Sequence, residues 1–194
     1  MVRIQGGELV MIVHLSKEDL KLAHKYTKTA SIGGISHVHK NKSDRLKKLS
    51  IDNFIGQIGT LAGCIALLGE EKGRLEYIKA RTLADKNPLS GDKGQDIVGS
   101  NIDIKCSYMR KSKNPRSYNF LIRKKEIHPN WIYVQTLAEK YKTDDHNESM
   151  RVHIMGWAKT EDIPKKPEAF GPLEGAYKIP VTSLRKFPID NILA

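Results

Sequence analysis

Gly91-Asp92-Lys93-Gly94-Gln95-Asp96-Ile97-Val98-Gly99-Ser100-Asn101-Ile102-Asp103-Ile104-Lys105-Cys106 sets two carboxylates and a lysine about a glycine-bearing turn. Asp96-Ile97-Val98 reads as a short apolar strand and Gly99-Ser100-Asn101 as a tight turn. Residues 102–106 alternate apolar and polar side chains as a half-buried strand does. The pattern predicts a hairpin. Strand side chains two apart share a face, so Asp103 and Lys105 are expected to emerge together, with Asp96 near the start of the partner strand. Two carboxylates converging on one spot suit a hard divalent cation. Magnesium takes one or two carboxylate oxygens and keeps water and substrate phosphate in its other positions. A lysine beside them would orient a water or stabilise charge developing on a phosphate.

Upstream, residues 53–69 read as a buried helix with small residues on one face and a glycine just past its end. Gly56, Gly59, Ala62 and Gly63 would let such a helix pack closely on a sheet. The order of helix, acidic residue, turn and Asp103-Ile104-Lys105 resembles the core of the PD-(D/E)xK nuclease superfamily, the fold of many restriction endonucleases and Holliday-junction resolvases. The run from Gly91 to Asp96 is similar to the glycine-rich approach to the first metal-binding aspartate in several of its branches. The resemblance implies an α/β fold with a restriction-endonuclease-like mixed β-sheet flanked by helices. It also implies metal binding by Asp96, Asp103 and the backbone carbonyl of Ile104, with Lys105 positioning the attacking water. The core helix of many members carries a glycine, two residues of any kind and then glycine-glutamate, the glutamate reaching the metal. Here Gly56 and Gly59 match, but Thr60 stands where the glutamate is expected and Gln57 is the amide nearest to it. Threonine is a poor magnesium ligand, so the helix contribution lies between Gln57 and Thr60, or the site does not cut.

The chain of 194 residues is expected to form one domain. Its parts would be an N-terminal strand and helix extension over 1–50, a nuclease-like core over 51–160 and a C-terminal extension over 161–194 packed on the core. Its apolar share of 39% and charged share of 28% exclude a disordered chain. No uninterrupted apolar run reaches 18 residues, so no membrane span is expected, and residues 8–15 read as a strand rather than a leader. Cys64 and Cys106 sit in apolar patterns without metal-ligand spacing and fit a reducing cytoplasm. A net charge of +11 and a pI near 9.6 supply sequence-independent attraction for phosphate backbones. One basic cluster, including Lys42 and Arg45, precedes the glycine helix. A second follows the acidic turn as Arg110, Lys111, Lys113 and Arg116, with Tyr108 and Tyr118 interleaved and Arg123, Lys124 and Lys125 close behind. DNA is the expected partner, held by Lys42, Arg45, Arg110, Lys111, Lys113 and Arg116.

Ser16-Lys17-Glu18-Asp19 has capping-box spacing and should open a helix that ends near Ser31. His37 and His39 lack a third ligand nearby and read as part of a surface loop. Residues 74–79 read as the first core strand, 83–90 as a loop, and 119–123, 131–137 and 151–157 as further strands. Residues 142–149 read as a polar connection, and residues 163–194 as an ordered tail with a helical turn at 182–185. These readings converge on a magnesium-dependent endonuclease that hydrolyses DNA phosphodiester bonds, manganese also suiting the site, with Asp96, Asp103, Lys105 and Gln57 as catalytic residues. Cutting both strands of a duplex would most simply use a homodimer with a two-fold axis. The alternative is a non-catalytic DNA-binding protein with a degenerate nuclease fold, for which Thr60 speaks. RNA binding rests on the charge alone.

Overall fold

The computed structural model describes residues 2–5, 8–30, 42–86, 95–109, 114–139, 149–168 and 175–187. In chain order these form β1 (Val2–Gln5), β2 (Glu8–Leu15), α1 (Lys17–Ala30), α2 (Lys42–Leu68), α3 (Glu70–Lys86), β3 (Ile102–Tyr108), β4 (Asn119–Arg123), β5 (Ile132–Ala138), β6 (Met150–Lys159) and β7 (Ala176–Pro180). Single 3-10 turns lie at Pro115–Ser117, Lys124–Glu126, Thr160–Asp162 and Val181–Ser183. The architecture is α/β. A five-stranded sheet runs β1-β2-β6-β5-β3, antiparallel throughout except for the parallel pair β3 and β5, and a separate ribbon pairs β4 with β7.

Glycine decides how α2 meets this sheet. A Cβ on Gly59 would stand 2.6 Å from the Thr136 hydroxyl of β5 and collide with Cys106 of β3, and one on Gly63 would stand 2.7 Å from Ile104 Cδ1. Ile58, Leu61 and Ala62 are fully buried on the same helix. The segment Ile51–Leu68 has a mean hydropathy of 1.4, long and apolar enough by length and composition to cross a membrane, yet 61% of it is buried inside this fold. That burial is what a core helix requires. Gly69, at φ +83°, ends α2 in the left-handed conformation that glycine adopts without a Cβ penalty.

The chain turns straight into α3, where the sequence pattern predicts a strand over 74–79. Leu75 and Tyr77 alternate with Arg74 and Glu76, but the buried positions are Gly73, Tyr77 and Ala80, spaced four and three apart. Leu75 is 62% exposed. Gly73 admits the backbone of α2 so closely that a Cβ there would lie 2.6 Å from the Cys64 carbonyl oxygen. The predicted loop at 83–90 likewise begins inside α3.

The capping box at Ser16 forms as the spacing predicts. The Asp19 N–H donates to Ser16 Oγ at 3.2 Å, and the Ser16 N–H donates to Asp19 Oδ2 at 2.9 Å. Arg74 of α3 reaches the same carboxylate with Nε at 2.7 Å and Nη2 at 3.0 Å, pinning α3 to the start of α1. Burial opposes the Asp19 charge, but these donors outweigh it and hold the carboxyl below its ordinary pKa.

Alternation along β5 separates two cores. Val134 and Ala138 join Ile104, Val152 and Ile154 beneath α2, while Tyr133 and Leu137 join Phe120, Ile122, Met155, Ile179, Val181 and Leu184 beneath the β4–β7 ribbon. Among the described residues the sheet is flanked by helices on one face and carries a β-ribbon on the other. Across β6 the pairing with β5 passes from Gly156 opposite Gln135 to Ile154 opposite Thr136, skipping one residue. Gly156 sits at φ +140°, and a Cβ there would stand 2.5 Å from the Arg185 carbonyl. Arg185 and Trp157 exchange both backbone hydrogen bonds at this point, at 3.0 and 2.8 Å. The helical turn expected at 182–185 lies one residue earlier, at Val181–Ser183. His37, His39 and nearly all of the 142–149 connection fall outside the described residues.

Candidate functional site

Among the described residues β3 is the last strand of its sheet, so one of its edges has no neighbouring strand there. Its apolar residues Ile102 and Ile104 enter the core under α2, and strand alternation turns Asp103 and Lys105 to the opposite face. The Lys105 ammonium lies 2.8 Å from Asp103 Oδ2.

Asp96 meets β3 at its free edge, in a different way from the predicted hairpin. Residues 96–98 form a bend and turn rather than a strand. The Asp96 N–H donates to the Ile102 carbonyl at 3.0 Å, as a paired strand would. The next rung comes from the side chain, with the Ile104 N–H donating to Asp96 Oδ2 at 2.6 Å. A strand residue points its N–H and C=O to the same edge, so the Ile104 carbonyl also faces the Asp96 side.

Helices fix the rest of Asp96. Thr60 Oγ1 donates to Asp96 Oδ1 at 3.3 Å, and one turn later the Cys64 thiol lies 3.6 Å from the Asp96 carbonyl. Gln57 points elsewhere, its amide oxygen accepting the Tyr77 hydroxyl at 2.8 Å, so Thr60 is the α2 residue that reaches the aspartate. Arg81 of α3 donates from Nη2 to Asp96 Oδ1 at 2.7 Å, with side-chain exposures of 13% and 9%. Glu76 of α3 accepts the Val98 N–H at 2.9 Å and anchors the turn itself.

A third carboxylate adjoins the pair. Glu126, in the turn after β4, stands 3.6 Å from the Lys105 ammonium and accepts from Arg123 Nε at 2.7 Å. The Tyr133 hydroxyl, from the β5 position opposite Asp103, donates to the Glu126 carbonyl at 3.1 Å and holds that turn against the sheet. Burial pushes the Asp103 carboxyl up to about 7, Asp96 and Glu126 adding to the rise and Lys105 opposing it. Burial also works against the Lys105 charge, but the carboxylates of Asp103 and Glu126 outweigh it and hold the ammonium above its ordinary pKa.

The sequence pattern does not single out Arg81 or Glu126 for the site. Arg81 is hidden by the strand reading of 74–79, and Glu126 closes a basic run and reads as surface. Of the expected DNA contacts, Arg116 is exposed in the turn after Asn114, whereas Arg110, Lys111 and Lys113, and the side chains of Lys42 and Arg45, fall outside what is described. Lys124 and Lys125 are exposed immediately before Glu126. Tyr108 and Tyr118 are half-buried against the two cores.

No family model, curated protein or solved structure matches this chain. Among the described residues no group of three or more His, Cys, Asp or Glu side chains is arranged to hold a metal ion. The oxygen donors offered by Asp96, Asp103 and the Ile104 carbonyl are those that suit magnesium, which retains several waters and needs no cage made wholly of protein.

Proposed function

We propose that this chain is a metal-dependent endonuclease of restriction-endonuclease-like fold, hydrolysing DNA phosphodiester bonds with magnesium or manganese. The observation that carries the reading is the meeting of Asp96, Asp103 and Lys105 at one edge strand, with an aspartate side chain completing the strand's hydrogen bonding. Asp96 and Asp103 would hold the cation together with the Ile104 carbonyl. When bound, a divalent cation lowers the pKa of a coordinated water and neutralises charge on the phosphate. Lys105, kept protonated by Asp103 and Glu126, presents an ammonium to the attacking water or to the phosphate oxygens. Exposed Lys124 and Lys125 and a net charge of +11 favour a polyanionic backbone beside the site.

A second reading has its own support. Thr60 in place of a carboxylate, and Arg81 paired with Asp96, also describe a site that binds DNA without cutting it. Incubating supercoiled plasmid with purified protein in magnesium, manganese or chelator, beside Asp103→Ala, separates the two. Metal-dependent nicking lost in the variant is expected. Intact plasmid with a salt-sensitive gel shift would transfer the assignment to the non-catalytic reading, and nicking retained by Asp103→Ala would remove Asp103 from the chemistry.

A further inference from the structure

We infer that Arg81 is an exchangeable counter-ion of Asp96, holding the carboxylate while no divalent cation is bound and giving it up when one binds. The inference rests on the metal-dependent reading above. Asp103 feels the charges of both Asp96 and Glu126, and each of the three carboxylates has a cation within ion-pair distance, Lys105, Arg81 and Arg123 respectively. Among the described residues each carboxylate thus has a resident cation, and a divalent cation at Asp96 brings like charge against Arg81.

The geometry selects Arg81 as the one that leaves. Asp96 Oδ1 already accepts from two donors, Arg81 at 2.7 Å and Thr60 at 3.3 Å, which use both of its lone pairs. Oδ2 accepts the backbone N–H of Ile104, a donor fixed by the strand. A cation coordinated by Oδ1 must therefore displace a donor from it, and of the two donors the guanidinium is the one carrying like charge. Lys105 is held by two carboxylates, at 2.8 and 3.6 Å, and has stronger reason to stay. Removing Arg81 leaves a buried carboxylate uncompensated, a costly state that a divalent cation relieves. A purely structural ion pair predicts the reverse, because losing Arg81 would then disorganise Asp96 and weaken binding.

The test is manganese binding measured by electron paramagnetic resonance, with magnesium binding by calorimetry, on the wild type, Arg81→Gln, Arg81→Lys and Asp96→Asn. Arg81→Gln should bind manganese at least tenfold more tightly than the wild type and show a larger rise in melting temperature on adding the metal. Arg81→Lys, which keeps the charge but loses the planar fork, should fall between them and decides the matter if Arg81→Gln does not fold. Asp96→Asn should lose the binding. Equal or weaker affinity in the Arg81 variants, or binding retained by Asp96→Asn, overturns the exchange while leaving metal dependence standing. Absence of binding in every protein overturns both.

Discussion

Asp103 is the residue whose surroundings predict the clearest signature. Its carboxyl has an ordinary value of 3.8 and is raised to about 7 in the fold, burial being the main cause. A group raised in this way contributes its full stability below about pH 4 and loses it as pH climbs through 7. Metal-free wild type is therefore expected to lose stability to denaturant between pH 4 and 7, whereas Asp103→Asn lacks that loss. Saturating magnesium should flatten the wild-type curve, because a cation at the carboxylate favours its charged form. Denaturant titrations at pH 4, 5.5, 7 and 8 check this, and identical slopes in wild type and variant would remove Asp103 as the titrating group. The pairing of Asp103 with Lys105 is legible in the sequence, since two-residue periodicity alone places them on one face. The Asp96 contact is legible only in part, because a side chain supplies what a strand backbone was expected to supply. Arg81 and Glu126 are illegible for a different reason. Nothing local to either residue marks it, and each is brought to the site by an element docked elsewhere in the fold.

At the scale of elements, the glycines of α2 are not equivalent although all three stand in one helix. A Cβ on Gly59 or Gly63 would meet β3 or β5 well inside contact distance, whereas one on Gly56 meets nothing within 4 Å. Gly59→Ala and Gly63→Ala are expected to destabilise by about 1–3 kcal/mol or more through overpacking. Gly56→Ala should instead stabilise by roughly 0.5–1 kcal/mol, through helix propensity and unfolded-state entropy. Urea unfolding of the three variants gives the comparison, and a destabilised Gly56→Ala would contradict the docking described. The apolar half of the helix and its terminal glycine can be read from composition, but the helix begins at Lys42 rather than near residue 53, so the basic cluster expected to precede it forms its first turns. α3 cannot be read by alternation, because its buried face is made of Gly73, Tyr77 and Ala80, and two of those three are too small to register as an apolar stripe.

For the whole molecule, the two faces of the sheet are closed by chain segments made at different times. α2, which covers one face, precedes every strand of the sheet except β1 and β2. The other face is closed by β4 together with β7, and Ile179, Val181 and Leu184 complete the cluster around Phe120, Ile122, Tyr133 and Leu137. A protein ending at residue 162 is expected to keep its helix-side core but expose this apolar surface. Dye binding to exposed hydrophobic surface and a fall in soluble yield would show it, and a soluble monomer that binds no dye would argue that the ribbon is dispensable. During synthesis β4 leaves the ribosome with Arg123 at its end, yet its partner begins at Ala176. At about 5–20 residues per second, the intervening chain keeps Phe120 and Ile122 uncovered for some seconds. In that interval the nascent protein presents an apolar sheet face and a strand without its mate, and this is the window in which a chaperone would engage it or two nascent chains would exchange ribbons.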